Sequence, residues 1–130
     1  MKKIVMLLVA LSFVFCASQV FSAATVTRTG RIVEITAIDA DWLWSTTFTG
    51  AAEVSGGIKV VSIEFLGGAA NDIIVINDQT DAGAVMMKRK TPDTDYSTIK
   101  YFFGARIRPV INFSDCTLSS GHKIIITLSD

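Results

Sequence analysis

Beyond residue 24, apolar and polar side chains alternate in short runs, and no segment spaces its apolar residues as an amphipathic helix does. In the run RIVEITAI, Val33, Ile35 and Ala37 would share one face of a strand, and Glu34 and Thr36 would share the other. Strands with one apolar and one polar face are typical of two-layer antiparallel sheets. The chain is therefore expected to be all-β.

Turn residues divide this pattern at intervals of roughly 8–13 residues, which predicts about eight strands. A single antiparallel β-sandwich of jelly-roll type, or a small barrel, would accommodate them. Pro109 has no amide proton, so its strand is expected at a sheet edge or at a bulge. The predicted strands are Thr25–Ile38, Trp42–Thr49, Ile58–Leu66, Asp72–Asn77, Ala84–Lys90, Ser97–Phe103, Arg106–Phe113 and Lys123–Leu128.

The N-terminal segment has the pattern of a secretory signal peptide. Lys2 and Lys3 precede an apolar run over 4–15, and small residues follow, so that cleavage after Ser22 or after Ala24 would fit. The apolar run, of about 12 residues, is shorter than the roughly 20 that span a bilayer. We expect a signal peptide at 1–22, a β-sandwich domain at 23–130, and export to the periplasm, cell surface or exterior. Contact with a membrane is expected only through the signal segment before cleavage.

Charge and cysteine content narrow the partners of the exported part. Residues 23–130 keep ten of the twelve Lys and Arg and all twelve Asp and Glu, which gives a formal charge of 10 − 12 = −2. A weakly acidic domain does not favour nucleic acid, so none is expected as a partner. Cys16 would leave with the signal peptide, and Cys116 alone cannot form an internal disulfide.

Both tryptophans lie in the segment IDADWLW, two residues apart. On a strand, Trp42 and Trp44 would share an apolar face with Phe48, and that face is expected in the core. A protein interface is one alternative. The other is a platform on which a carbohydrate or another ligand stacks, and Tyr96 and Tyr101 would then belong to it.

No grouping of reactive side chains indicates catalysis. His122, the only histidine, is expected in a turn, and Cys116 is expected to be a half-buried structural residue. The aspartates of 39–41 and 93–95 lie in predicted turns, where Asp bonds to nearby backbone amides, with weak calcium binding as the alternative. Phosphate-binding loops, nucleophile elbows and paired zinc ligands are absent from the sequence. We therefore expect no catalytic residue, no metal site and no cofactor.

Several predicted strands carry one apolar residue on a face that is otherwise polar. Such residues would be exposed on a two-layer sandwich, and an exposed apolar surface is typical of protein contacts. The candidate interface residues are Leu43, Val60, Phe102, Val110 and Ile125.

Three stretches, TGAAEVSGGIKVVSIEF, NDIIVIND…DAGAVMM and IKYFFGARIRPVINFSDCTLSSGHKIIITL, carry a resemblance that covers most of residues 30–128. They resemble small, mostly uncharacterised β-rich proteins encoded among phage and prophage structural genes. The resemblance implies a virion or surface-assembly component and supplies no functional residues. An export signal departs from it, because virion proteins of tailed phages assemble in the cytoplasm.

These observations together favour a structural role. We expect a non-enzymatic, exported structural or assembly protein that acts by self-association, as a homo-oligomer, or by docking on a larger surface. It would be a virion-like or cell-surface component. The alternative is a carbohydrate- or ligand-binding β-sandwich module.

Overall fold

The computed structural model describes residues 24–80, 82–93 and 96–130. The chain is mostly β, in two antiparallel sheets of five and four strands with one helix, and the sheets do not form a closed barrel. The all-β prediction is confirmed and the barrel alternative is wrong. No helix in the described part of the chain is long and apolar enough to cross a membrane. The predicted signal peptide lies outside the described residues.

The first sheet has five strands, all paired antiparallel. The last strand along the chain lies at its centre, and the two edges are formed by the first strand and by the longest one. In spatial order the strands are β1 (Thr25–Thr29), β2 (Ile32–Thr36), β9 (Lys123–Leu128), β4 (Ile58–Leu66) and β7 (Ser97–Ile107).

The second sheet has four shorter strands, again antiparallel. Between its first strand and β4 the chain forms a 3-10 turn (Trp44–Thr46) and the helix α1 (Ala51–Gly56), and a further 3-10 turn covers Phe113–Asp115. In spatial order the strands are β3 (Trp42–Leu43), β8 (Pro109–Ile111), β5 (Ile73–Asp78) and β6 (Val85–Lys90).

The core lies between the two sheets and is built from alternate strand positions, as the sequence pattern predicts. Each fully buried side chain of this size contributes about 1.5–3 kcal/mol relative to its exposed state. The five-stranded sheet contributes Val33, Ile35, Ile63, Phe65, Ile124 and Ile126, and the four-stranded sheet contributes Ile74, Ile76, Met87 and Ile111.

The predicted strand Thr25–Ile38 is in fact a hairpin. β1 and β2 pair directly, with Thr29 opposite Ile32, around a two-residue turn at Gly30 and Arg31. Gly30 has a φ of 58°, which glycine adopts without steric cost. In the sequence only Gly30 marks this turn, and apolar and polar residues alternate on both sides of it, so the pattern predicts one continuous strand.

The predicted strand Trp42–Thr49 is wrong beyond Leu43. After two residues the chain enters the 3-10 turn, where the Thr46 hydroxyl donates to the Leu43 carbonyl at 2.6 Å. The Phe48 amide donates to the Trp44 carbonyl at 2.8 Å. Short polar side chains that bond to their own backbone compete with a strand ladder, and residues 45–47 are all of this type.

The prediction for Pro109 is also corrected. β7 runs without interruption through Gly104, and β8 is a separate inner strand between β3 and β5, not an edge. Pro109 is the first residue of β8, and β3 pairs only with Val110 and Ile111. The missing amide proton therefore breaks no hydrogen bond to β3.

Candidate functional site

The two tryptophans belong to the core. Trp42 and Trp44 are buried together with Phe48, so the core interpretation is confirmed. The stacking platform is wrong for both tryptophans, because neither ring is accessible to a ligand. The other members of that platform, Tyr96 and Tyr101, are exposed. Trp42 lies on β3, whereas Trp44 lies in the 3-10 turn, so both are core residues although the predicted strand ends at Leu43.

Two of the five candidate interface residues are core residues. Val60 and Val110 are buried, so their expected outward orientation is wrong. The reason for Val60 is a bulge between Val60 and Ser62, which reverses the alternation so that Val60 points inward. Val110 lies in a strand whose three residues are all buried, which means that both of its faces are covered.

The other three candidate interface residues do not form one surface. Leu43 is exposed on the four-stranded sheet. Ile125 is half-buried on the outer face of the five-stranded sheet, between Glu34 and Glu64. Phe102 packs against the core and lies under the Lys100 ammonium.

The most exposed apolar surface lies instead on the edge strand β7. Ile99, Tyr101 and Phe103 are 40%, 55% and 88% exposed. The rings of Tyr101 and Phe103 stack with centroids 5.9 Å apart and planes 28° apart. We call these three residues the β7 strip. On the sequence level, Tyr101 was a candidate ligand residue, whereas Ile99 and Phe103 were missed.

Phe103 is held out by a bulge in β7. Ser62 pairs with Tyr101 and Val60 with Ala105, so that one residue of β4 faces three residues of β7. At this point Phe103 has a φ of 53° and Gly104 a φ of 80°. The left-handed region costs a residue with a side chain roughly 1–2 kcal/mol. Gly104, inside a long strand, was the sequence signal of this bulge.

The outer face of the five-stranded sheet carries an uncharged row of residues that ends at Tyr101 of the β7 strip. One line of paired residues crosses all five strands as Thr29, Ile32, Thr127, Ser62 and Tyr101. The neighbouring line holds both glutamates of this face. It runs through Thr27, Glu34, Ile125, Glu64 and Ile99.

His122 and Cys116 do not form a catalytic pair, since each is bonded elsewhere. The Ile38 amide donates to His122 Nε2 at 3.0 Å, and Nδ1 lies 2.9 Å from the Ser119 carbonyl oxygen, which fits a neutral ring with its proton on Nδ1. The Cys116 thiol donates to the Asn112 carbonyl at 3.0 Å. Both residues hold the loop that precedes β9.

Cys116 is poorly suited to act as a nucleophile. Burial raises the pKa of its thiol, the Val75 amide that bonds to the sulfur lowers it, and the carboxylates of Asp115 and Asp41 raise it again, with a net rise. A thiol with a raised pKa has little thiolate at neutral pH. The structure therefore supports its structural interpretation.

Asp72 is a buried carboxylate that the sequence analysis treated only as the beginning of a strand. Its Oδ2 accepts hydrogen bonds from the amides of Gly68, Ala69 and Ser119, and its Oδ1 accepts one from the Ser119 hydroxyl at 2.6 Å. Burial raises the pKa of this carboxyl, but these four hydrogen bonds lower it more, so the pKa lies below its ordinary value. These bonds tie the loop after β4 to Ser119, which precedes β9, and this indicates a structural role.

Across residues 24–80, 82–93 and 96–130, no three His, Cys, Asp or Glu side chains are grouped as metal ligands. Asp41 accepts a hydrogen bond from the Phe113 amide at 2.8 Å, as an aspartate in a turn commonly does.

The β7 strip is therefore the candidate functional site. Comparisons with protein-family models, with curated proteins and with solved structures give no match, so no relative supplies a role for these residues.

Proposed function

We propose that this protein is a non-enzymatic, exported assembly protein that self-associates through the outer face of its five-stranded sheet. The observation that carries the proposal is Phe103, which is 88% exposed and also held in a left-handed backbone conformation. In the isolated chain this aromatic ring is both strained and in contact with water. Strain at a solvent-exposed residue is typical of functional positions.

The energetics favour a partner that buries the β7 strip. Burying an aromatic side chain is worth about 1.5–3 kcal/mol, which equals or exceeds the roughly 1–2 kcal/mol that the left-handed conformation costs. Tyr101 supplies a second ring already stacked on Phe103, so little side-chain entropy remains to be lost on docking. Burial of the ring in a contact would thus offset the free energy of backbone strain at Phe103.

A second copy of the chain is the partner that fits this face. A two-fold axis along the uncharged row would place that row against its counterpart in the other copy. The same rotation carries the row of Glu34 and Glu64 to the opposite side of the axis, so the glutamates of the two copies stay apart. The net charge of about −2 over residues 23–130 opposes such packing only weakly.

The contact is expected to be weak between two isolated copies. Each strand of this sheet has at least five residues. Over that length, five strands about 4.8 Å apart present a face of roughly 400 Å², about half of the area per partner of a standard interface. Such a contact becomes effective when many copies are held close together. This suits an assembly component better than a permanent dimer.

We infer further that the two sheets form a jelly roll preceded by the additional strand β1. In a jelly roll of eight strands the first pairs with the eighth, the second with the seventh, the third with the sixth and the fourth with the fifth. The pairs β2–β9, β3–β8, β4–β7 and β5–β6 follow this scheme. Viral capsid domains use this fold, which supports a virion-like component by analogy.

Export is proposed from the N-terminal sequence pattern. The charged, apolar and small segments of residues 1–22 support secretion, and a location in the periplasm, at the cell surface or outside the cell follows. Self-association would then assemble a structure in that compartment.

The test is the substitution Phe103→Asn. Asparagine tolerates the left-handed region, so the free energy of unfolding of the variant should be about 1 kcal/mol higher than that of the wild type. The same variant should lose self-association, because the apolar ring is gone. Sedimentation velocity over a hundredfold concentration range, with urea unfolding monitored by tryptophan fluorescence, measures both effects.

Val85→Thr is the matched control, since Val85 is an exposed apolar residue on β6 of the other sheet. It should leave the concentration dependence of the wild type unchanged. A wild-type protein that remains monomeric at every concentration, or a Phe103→Asn variant that associates like the wild type, would contradict the proposal.

A further inference from the structure

A second surface feature is a pocket of about 380 Å³ at one end of the five-stranded sheet. It lies where the β1–β2 turn, the beginning of β4 and the residues after β9 meet, with Ile58 and Leu128 as its apolar wall. We call it the basic pocket. Its charged residues are Arg28, Arg31, Lys59 and Arg106 against Glu53 and Asp130.

The charge of the basic pocket contrasts with that of the chain. Four cations and two carboxylates give it a formal charge of 4 − 2 = +2, whereas residues 23–130 together carry 10 − 12 = −2. Four of those ten cations thus line one pocket. An anion approaching this weakly acidic protein would find its most favourable potential here.

Asp130 already acts as an internal anionic ligand of the pocket. Its carboxylate forms an ion pair with Arg31, and its backbone oxygen accepts a hydrogen bond from the Lys59 ammonium at 2.8 Å. The chain itself therefore places an oxyanion among these cations. Both Arg31 and Asp130 are exposed, so this pair is weak and can exchange with a ligand.

The other two arginines are oriented without being neutralised. The Arg28 guanidinium lies over the ring of Phe48, 5.4 Å from its centroid, and the Arg106 guanidinium donates to the Gly57 carbonyl at 3.2 Å. Within the described part of the chain, no carboxylate lies within 4.0 Å of either. A guanidinium fixed by an aromatic face or a carbonyl keeps further donors for a bidentate bond to an oxyanion.

We infer that the basic pocket binds a small oxyanion, a phosphate, sulfate or carboxylate group, between Arg28 and Arg106. Asp130 competes with the ligand for Arg31 and Lys59. The inference is independent of the β7 strip, since the pocket includes none of its residues.

Calorimetric titration with inorganic phosphate, sulfate and citrate, each at an ionic strength matched with sodium chloride, tests the pocket and ranks the three oxyanions. Arg106→Gln should weaken binding about tenfold, because it removes one charge-assisted contact. Asp130→Asn should tighten binding several-fold, because it removes the internal competitor. Arg28→Gln should weaken it as Arg106→Gln does, and it serves if the Arg106 variant does not fold.

Lys88→Gln is the matched control, since it removes one positive charge from an exposed position on β6 outside the pocket. It should change the affinity less than twofold. Equal weakening by Lys88→Gln and Arg106→Gln, an unchanged affinity in Asp130→Asn, or no heat with any of the three anions would overturn the inference.

Discussion

At the scale of single residues, Asp72 joins three loops that are far apart in sequence. Its carboxylate binds the loop after β4 and Ser119 before β9, while its backbone carbonyl accepts the Thr91 amide at 2.8 Å. The sequence predicts Asp72 only as a strand residue beside a turn. The amides of Gly68 and Ala69 are local partners, but Ser119 could not be predicted as a partner, because it lies 47 residues away.

Asp72→Asn should lower the free energy of unfolding at neutral pH by roughly 1–3 kcal/mol, since an amide cannot accept all four hydrogen bonds. The pKa of Asp72 is lowered in the folded state. The contribution of the Asp72 carboxylate to the free energy of unfolding is therefore complete above the ordinary carboxyl pKa. It is lost as the pH falls through the pKa of the folded state. Urea unfolding between neutral and acidic pH should show the wild type and the variant converging as the pH falls.

Asp93→Asn, at an exposed position, provides the comparison for Asp72→Asn. It should follow the wild type over the whole pH range. A constant difference between wild type and Asp72→Asn down to the most acidic pH would contradict the role given to the Asp72 charge.

Cys116 should react slowly with thiol reagents in the native protein. Its pKa is raised, chiefly by burial, so the thiolate fraction at a given pH is smaller in the folded state than in the unfolded chain. In a protein that begins after residue 22 it is the only thiol. Its reaction with a disulfide reagent at neutral pH should be at least about tenfold slower than in urea. Equal rates would show an accessible thiol.

At the scale of elements, two glycines with positive φ have different surroundings. Gly30 turns the β1–β2 hairpin, and a Cβ there would meet nothing within 4 Å. Gly57 lies between α1 and β4 with a φ of 77° and a ψ of 179°, a region that essentially only glycine adopts. A Cβ on Gly57 would lie 2.4 Å from the Ile107 carbonyl oxygen.

Gly57→Ala should therefore lower the free energy of unfolding by at least about 3 kcal/mol, because backbone strain and a backbone clash add together. Gly30→Ala is its control and should cost only about 1 kcal/mol, from the left-handed conformation alone. Thermal or urea unfolding of the two variants measures the difference. Similar values for both would contradict the close approach of Gly57 to β7.

The sequence predicts the strands well where alternation reflects burial on one side only. β4, β6 and β9 begin and end at the predicted residues or one residue away. Prediction fails where a local side-chain hydrogen bond ends a strand, as at Thr46. It also fails where a bulge shifts the alternation of inward and outward residues, as between Val60 and Ser62. These features depend on the partner strand, which a periodicity does not contain.

At the scale of the whole molecule, strand order decides which apolar residues are accessible. Ile125 in the central strand β9 and Ile99 in the edge strand β7 lie in one line on the outer face of the five-stranded sheet, yet Ile125 is half-buried and Ile99 is 40% exposed. For this reason Ile99 and Phe103 could not be predicted as exposed residues. Alternation shows which residues share a face of a strand. The exposure of these residues also depends on the position of β7 at the edge of the sheet, where it pairs with β4 alone.

Removal of residues 123–130 should prevent folding. β9 pairs with both β2 and β4 and buries Ile124 and Ile126, so its loss would split the five-stranded sheet. Circular dichroism and limited proteolysis should show a chain without a cooperative unfolding transition. Removal of 129–130 alone is the control and should cost about 1 kcal/mol or less, since the Asp130 contacts are exposed. A cooperative transition in the longer deletion would contradict the central place of β9.

The position of β9 has a consequence for the order of events in the cell. Among the strands of the described residues, it is the last to leave the ribosome, and until then β2 and β4 have no neighbour between them. Until β9 has been synthesised, a nascent polypeptide of this design stays in a form that a translocation channel can thread. With the export proposed above, its tertiary structure would form only on the far side of the membrane.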